Sequence, residues 1–271
     1  MRKKLYRTLT ALLFAALVVC AVVIIRNTLD SRAGEQSYEM AAQVAGLASP
    51  PASRPSGSTG GAGGAEESNG PAETEEDHLA ALAGVNLAAL REVNPEVVGW
   101  LDIPGTNISY PLLQGENNDY YLKHTWEGES SSAGSIFMEC TNPPDFSNFN
   151  TILYGHKLRS GAMFAGLRRY EEEGYWKEHP SVYVVDEGGL RRYDVFAAHA
   201  VGVQEIVYRL DLGTPERQEE FIAFCLDRSV IDTGVTPEAG DKILTLSTCT
   251  GNGYSKRWVV QAVLREDAPL P

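Results

Sequence analysis

The sequence predicts a mainly β domain, built as a closed barrel or a sandwich, in the C-terminal part of the chain. Short extended runs follow one another there, separated by Gly, Pro and Asn. Few helical patterns interrupt these runs, which excludes the regular strand–helix alternation of a βαβ fold. The eight predicted strands are Val98–Ile103, Ile108–Leu113, Ser135–Cys140, Thr151–Gly155, Val182–Asp186, Arg191–Ala200, Ile243–Thr248 and Arg257–Leu264.

Three segments of the same region have helical rather than alternating patterns. Leucines recur at helical spacing over residues 77–92, so one helix is predicted before the first strand, weakened by Gly84. A short helix is predicted around Met163–Tyr170. A longer one covers Pro215–Arg228, before the seventh strand, because Thr214 is a suitable N-cap and Pro is favoured in the first turn.

Composition divides the chain into three unlike regions. The predicted units are 1–26, a basic stub with an apolar run, then 27–77, a linker, and 78–271, a single folded domain. Over the whole chain 23 Lys and Arg stand against 36 Asp and Glu, which gives a formal charge of −13. This balance excludes a nucleic-acid binder, because phosphate recognition needs clustered cationic side chains.

The N-terminal region has the pattern of an uncleaved membrane anchor. Four basic residues precede an uncharged apolar run over Leu9–Ile25, a length near the lower limit for one transmembrane helix. A cleaved signal peptide is the alternative, but its apolar region would be shorter and no A-x-A-like site follows closely. Only Arg26 and Arg32 follow soon after the run. The positive-inside bias therefore predicts a cytoplasmic N-terminus and an extracellular remainder.

The segment after the apolar run is expected to be largely disordered. Residues 46–77 contain seven Gly, four Pro, five Ser and five Ala among 32 residues. Such a segment buries too little apolar surface to offset the conformational entropy that ordering would cost. We interpret it as a passive spacer that lets the folded domain search the layer just above a membrane.

Cysteine positions indicate one candidate nucleophile. Cys225 falls on the apolar face of the long predicted helix, so a core role is expected, and Cys140 lies beside a turn-rich stretch. Cys249 instead ends a predicted strand and meets Thr, Gly and Asn. A thiol held by a rigid strand at the mouth of a loop is well placed for attack on a carbonyl, although a structural role is also compatible with this position.

Two further residues at strand ends supply the groups that such a thiol needs. His156 follows an apolar strand, and an imidazole exchanges protons with a thiol and a leaving amine near neutral pH. Arg257 begins the next predicted strand, eight positions after Cys249, and a guanidinium there would stabilise an oxyanion. Taken together, the three residues form a catalytic hypothesis that none of them supports alone.

At this point the chain resembles the sortases, and specifically class B, from about residue 94 to residue 264. The combination of Thr-Leu-Ser-Thr-Cys, a downstream Arg and a Tyr-Gly-His strand end is highly specific. The matching runs are NPEVVGWLDIPGT (94–106), ISYPLLQ (108–114), NDYYL (118–122), GSIFM (134–138), TILYGH (151–156), MF (163–164), TLSTC (245–249) and RWVV (257–260).

The resemblance implies an eight-stranded sortase β-barrel and a role for each matched residue. Cys249 would be the nucleophile, His156 the general acid and base, and Arg257 the group that stabilises the oxyanion and positions substrate. Substrate contacts are implied for Ser247, Asn118, Leu122 and Tyr208. A turn cap for Asn118 and a core position for Leu122 remain open as alternatives. No metal and no other cofactor is predicted.

The same resemblance implies the partners and the location. Residues 78–271 would be the catalytic domain of a membrane-tethered cysteine transpeptidase on a Gram-positive-type cell surface. It would cut secreted proteins after the Thr of a C-terminal sorting signal, typically of N-P-x-T-x or S-P-x-T-G type. The acyl group would then pass to an amine of a peptidoglycan precursor or cross-bridge.

Three alternative functions remain open. A surface cysteine protease would hydrolyse the same type of signal, because water and an amine attack the same thioester. A pilin-linking sortase is less favoured, since no Asp-Pro-aromatic lid precedes the barrel region. A catalytically inactive binding module is disfavoured by the presence of all three catalytic residue types.

Overall fold

The computed structural model describes residues 13–22, 34, 36–47, 75–249 and 255–268, and its core is a closed barrel of eight strands. Each of the eight predicted strands is present, so the prediction of a mainly β barrel is confirmed. Their bounds are β1 (Val97–Asp102), β2 (Ser109–Leu113), β3 (Ile136–Met138), β4 (Asn150–Tyr154), β5 (Ser181–Asp186), β6 (Gly189–Gly202), β7 (Ile243–Cys249) and β8 (Lys256–Ala268).

The order of the strands brings distant parts of the sequence together. Around the barrel the order is β1, β2, β3, β4, β7, β8, β6 and β5, and β5 closes onto β1. The pairs β2–β3 and β4–β7 are parallel, whereas the other pairs are antiparallel. Because β4 and β7 run in the same direction, their C-terminal ends lie at one edge of the barrel, beside the start of β8.

Alternation along β7 separates the inside of the barrel from its outside. Leu244 and Leu246 belong to the main core, which fills the barrel. Ile243 belongs to a second apolar cluster on the outer face. Since successive side chains of a strand point to opposite faces, Ser247 lies on the outer face with Ile243.

The described residues before the barrel include a short helical segment over 13–22, within the predicted anchor. No helix among the residues that the structure describes is both long and apolar enough to cross a membrane. The remainder of the predicted span Leu9–Ile25 lies outside the described residues.

A helix over residues 36–44, here α1, differs from the prediction of a linker over 27–77. Four side chains at helical spacing are buried on one face and pack into the main core: Tyr38, Ala41, Ala42 and Ala45. The segment is ordered because the barrel supplies the apolar surface that this face covers. The folded domain therefore begins well before residue 78.

The position of α1 also overturns the spacer interpretation. The carbonyl of Ala45 accepts a hydrogen bond of 2.9 Å from the backbone of Asn86, and Leu47 packs against the main core. Leu47 and Leu82, on either side of residues 48–74, both pack in the main core, so this stretch does not lie between the N-terminal run and the folded domain. The prediction that they are disordered lies outside the described residues.

The single helix predicted over 77–92 is two helices, α2 (Glu75–Ala83) and α3 (Leu87–Val93). The break follows Gly84, and the side chain of Asn86 caps the second helix by accepting a hydrogen bond of 3.0 Å from Ala89 N. Such a cap satisfies a backbone donor that a continuous helix would bond internally. Gly84 and the Asn86 cap together interrupt the helix that the leucine spacing predicts.

The later helices agree with the predictions. The short helix is a 3₁₀ helix over Phe164–Glu171, and α4 (Tyr175–Glu178) follows it. The long helix α5 covers Pro215–Arg228, as predicted. Thr214 occupies its N-cap position with an extended backbone, but its side chain makes no capping hydrogen bond.

Helix α5 covers the outer apolar cluster of the barrel. Phe221 is fully buried there and meets the ring of Phe149 edge-on, with 5.5 Å between the ring centroids. Cys225 lies in the same cluster, and its sulfur accepts a hydrogen bond of 3.0 Å from the side chain of Gln261 on β8. The expected core role of Cys225 agrees with this burial.

Truncation of Phe221 tests this packing. We expect Phe221→Ala to lower the free energy of unfolding by about 3–5 kcal/mol, because the ring leaves a cavity that its neighbours fill incompletely. Phe224→Ala is the matched control, since Phe224 lies on the same helix and is only partly buried. Urea denaturation measures both variants. Equal losses would contradict the assignment of Phe221 as the anchor of α5.

Candidate active site

The three candidate catalytic residues lie at the adjacent ends of three neighbouring strands, His156 just after β4, Cys249 at the end of β7 and Arg257 near the start of β8. In the parallel pair β4–β7, Tyr154 lies opposite Ser247, and in the antiparallel pair β7–β8, Cys249 lies opposite Arg257. The backbone bond from Gly155 N to Ser247 O, 3.2 Å long, extends the first pairing beyond the end of β4. His156 follows two residues after Tyr154, at the same edge of the barrel as the end of β7 and the start of β8.

Contacts with the loop before β3 fix the imidazole of His156. Its Nε2 lies 2.8 Å from the carbonyl oxygen of Leu122. A carbonyl only accepts, so Nε2 carries a proton and, in the neutral ring, the lone pair lies on Nδ1. The half-buried ring is therefore oriented with one nitrogen as donor and the other as a potential proton acceptor.

Two glycines give the histidine its space. A Cβ on Gly155 would clash with Ile136 Cδ1 and lie 2.8 Å from the ring of Phe164. A Cβ on Gly134 would lie 2.9 Å from His156 Cδ2 and 2.8 Å from the carbonyl oxygen of Tyr121. Gly134 also has a positive φ of 62°, which side-chain-bearing residues rarely adopt.

Arg257 lies at the start of β8, opposite the end of β7. Its backbone pairs with Cys249 on one side and with Val201 of β6 on the other. The side chain is half-buried, and Nη1 donates a hydrogen bond of 3.2 Å to the carbonyl of Lys256. A guanidinium carries five N–H donors in a planar fork.

Ser247 and Tyr208 meet beside these strand ends. The hydroxyl groups of the two side chains are 2.9 Å apart, and Ser247 is buried. A buried amide holds the loop of Tyr208 in place, because Asn150 Nδ2 donates to the carbonyls of Val207 and Arg209 at 2.9 and 3.3 Å. The structure therefore brings these two predicted substrate-binding residues into direct contact.

Asn118 and Leu122 have contacts that fit their alternative structural roles. Asn118 Nδ2 donates to Glu139 Oε2 at 2.6 Å, and its Oδ1 accepts from Cys140 N at 2.9 Å. Its amide thus ties the loop before β3 to the end of that strand. Leu122 is partly buried against the main core, and its carbonyl holds His156.

Glu139 and Tyr154 are two site neighbours that the sequence did not single out. The hydroxyl of Tyr154 donates to Glu139 Oε2 at 3.0 Å, and that of Thr141 donates to Oε1 at 3.0 Å. Burial opposes ionisation of Glu139, but the hydrogen bonds from Asn118, Tyr154 and Thr141 outweigh it and lower the pKa of the carboxyl. Burial and the nearby charge of Glu139 raise the pKa of Tyr154.

These two residues place a carboxylate near the histidine strand. Tyr154 precedes His156 by two positions, and Glu139 directly follows β3. The sequence signal was the position of Glu139 at a strand end, but nothing in the sequence pairs it with Tyr154. Within the described part of the chain, no three His, Cys, Asp or Glu side chains are grouped as metal ligands.

Comparisons with known proteins identify the family of the barrel region. The family model for the sortase domain matches residues 101–265. The chain is 38% identical over 182 residues to sortase B of Listeria monocytogenes, covering 66% of this chain and 73% of that protein. A solved Staphylococcus aureus sortase B–substrate complex superposes with a TM-score of 0.63 at 32% identity, covering 67% of this chain and 85% of that one.

A structure of sortase B complexed with triglycine is similarly close, with a TM-score of 0.64 at 32% identity and coverage of 67% of this chain and 86% of that one. Sequence and fold thus agree over the barrel region. The chain belongs to the sortase family of cysteine transpeptidases, and the resemblance to class B is confirmed.

Proposed function

We propose that this chain cleaves a C-terminal sorting signal after its Thr and transfers the protein to an amine of the cell wall. The observation that carries the proposal is the pairing of β4, β7 and β8, because it brings the end of β4, which His156 follows, to the same barrel edge as the paired residues Cys249 and Arg257. A nucleophile, a proton carrier and a cation are the three groups that acyl transfer through a thioester requires.

The first half of the reaction forms the thioester. The Cys249 sulfur attacks the carbonyl carbon of the Thr residue, and its proton passes to His156. Negative charge then develops on the carbonyl oxygen, where the Arg257 guanidinium stabilises it. When the C–N bond breaks, His156 returns the proton to the leaving amine, which departs with the C-terminal fragment.

The second half repeats the steps with an incoming amine. His156 takes a proton from the amine as its nitrogen attacks the thioester carbonyl. The C–S bond then breaks, the thiolate of Cys249 leaves and the proton returns to it. The new amide joins the cargo protein to the acceptor, so no oxidant, metal or nucleotide enters the balance.

The outer face of the barrel supports a peptide-binding role beside these strand ends. Ser247 lies two residues before Cys249 on β7, and its hydroxyl and that of Tyr208 are suited to the backbone of an extended peptide. In this proposal Asn118 shapes the peptide-binding groove by holding the Glu139 side chain. Leu122 contributes through its backbone carbonyl, which holds the His156 ring. The related structures include a complex with a substrate and one with triglycine, which suits a sorting peptide and an amine acceptor here.

We also propose that the enzyme is anchored by residues 9–25, with its N-terminus in the cytoplasm and the barrel outside. The basic residues before this run support that orientation. Because Gly34 is already buried on the folded domain, only residues 26–33 separate the run from it. These eight residues span at most about 29 Å, so the active site would work close to the membrane, where cell-wall precursors are made.

The first prediction concerns the nucleophile. We expect Cys249→Ala to abolish cleavage of a panel of N-P-x-T-x and S-P-x-T-G peptides, because no thioester can form. Cys140→Ala is the matched control and should retain activity, since Cys140 lies beside Glu139 at the end of β3. Peptide cleavage followed by liquid chromatography measures both variants. Normal cleavage by Cys249→Ala would overturn the mechanism.

The second prediction separates transfer from hydrolysis. We expect triglycine to raise the turnover of a peptide that the enzyme cleaves. We also expect it to become joined to the N-terminal fragment of that peptide. This follows if an amine resolves the thioester faster than water does. Mass spectrometry of the products at increasing triglycine concentration makes the measurement. Hydrolysed product alone at every concentration would favour the surface protease.

A further inference from the structure

We infer that Tyr38 of α1 is a positioning residue for His156, so that the helix nearest the membrane anchor in sequence organises the active site. The effect of Tyr38 on catalysis rests on the proposed function, in which His156 is the acid–base group. Its structural basis is independent of that function, because it consists of contacts between described residues. Two chains of contacts lead from Tyr38 to His156. One passes through Gly134, beside the imidazole ring, and the other passes through Tyr110 to the loop that follows His156.

The first route passes through Gly134. Tyr38 donates its hydroxyl hydrogen to the carbonyl of Gly134 over 2.5 Å, and Ser135 Oγ lies 3.0 Å away. The Cα of Gly134 packs so closely against the imidazole that a Cβ there would lie 2.9 Å from His156 Cδ2. The same Cβ would lie 3.0 Å from the carbonyl oxygen of Leu122, which holds the histidine.

Ser135 extends this route to the segment that contains Leu122. Its backbone nitrogen donates to the carbonyl of Tyr121 at 2.8 Å, and its hydroxyl donates to the carbonyl of His124 at 2.8 Å. The hydroxyl of Tyr38 therefore lies at the point where the glycine beside the ring and the segment bearing the acceptor of Nε2 meet. Displacement of this junction would move both contacts of the imidazole.

The second route passes through Tyr110. The rings of Tyr38 and Tyr110 meet edge-on, with centroids 5.2 Å apart. The hydroxyl of Tyr110 accepts a hydrogen bond of 3.1 Å from Met163 N, and the next residue, Phe164, donates its N–H to the carbonyl of His156 at 2.9 Å. Tyr38 thus also supports the loop that follows the histidine.

Helix α1 is anchored well enough to hold this position. Trp126 donates its indole N–H to the carbonyl of Ser37 over 2.9 Å, and the hydroxyl of Ser37 donates to Glu127 at 2.7 Å. Burial raises the pKa of Tyr38, so its hydroxyl stays protonated and remains a donor at any working pH. The two bonds at Ser37 fix α1 to the segment that follows Leu122.

Tyr38→Phe tests the inference, with Tyr170→Phe as its matched control. Tyr170 is also buried in the main core, and its hydroxyl donates to a backbone carbonyl, that of His179, at 2.8 Å. Each variant loses one buried donor and keeps its ring, so similar losses of stability are expected. Only Tyr38→Phe removes a bond that leads to His156.

The first measurement needs no substrate. The full chain, labelled with ¹⁵N in its five histidines, is titrated by nuclear magnetic resonance, and His156→Gln assigns the signal. We expect Tyr38→Phe to lower the pKa of His156, because a looser Leu122 carbonyl stabilises the imidazolium less. Tyr170→Phe should leave this pKa unchanged. Unchanged titration in Tyr38→Phe, or equal shifts in both variants, would overturn the inference.

The second measurement is the kinetics of peptide cleavage. We expect Tyr38→Phe to lower kcat about fivefold with little change in KM, the equivalent of one hydrogen bond of about 1 kcal/mol. Tyr170→Phe should retain the wild-type kcat. Equal kcat for the two variants would also count against the inference. Absence of cleavage by the wild type would instead refute the proposed function, while the titration would still decide the role of Tyr38.

Discussion

The parallel register between β4 and β7 is the constraint on which the site depends. It pairs Tyr154 with Ser247, so the chain leaves β4 toward His156 at the barrel edge where β7 ends in Cys249. A shift of one residue would turn every side chain of one strand to the other face, so the candidate acid–base group and the nucleophile would separate. The alternating burial of β7 between the barrel interior and the outer cluster fixes this register.

Buried polar groups stabilise the same register from the outside. Thr245 donates to Asn150 across the pair at 2.8 Å, and Asn150 in turn holds the loop that contains Tyr208. A buried amide left without these partners would be costly, so the bonds favour one arrangement over its neighbours. The glycine at 155 then lets the strand end pass between Ile136 and Phe164.

The sequence predicted the strands and α5 because alternation, Gly and Pro punctuation and a first-turn proline are local signals. It did not predict α1, although Tyr38, Ala41, Ala42 and Ala45 have helical spacing. Alanine gives a weak apolar signal, and only contact with the barrel shows what that face covers. Asn118 illustrates the same limit, because an amide suits a turn or a groove equally well until Glu139 is located beside it.

The central claim is that a thioester forms on Cys249, at the end of β7. Its most direct test is intact-mass and peptide-mapping spectrometry of the full chain, incubated with an intact sorting peptide that it cleaves and with no added amine. We expect the N-terminal fragment on Cys249 through a bond that hydroxylamine cleaves. The claim would be contradicted by an adduct on Cys140, or by peptide turnover with no covalent enzyme–peptide species in rapid-quench samples.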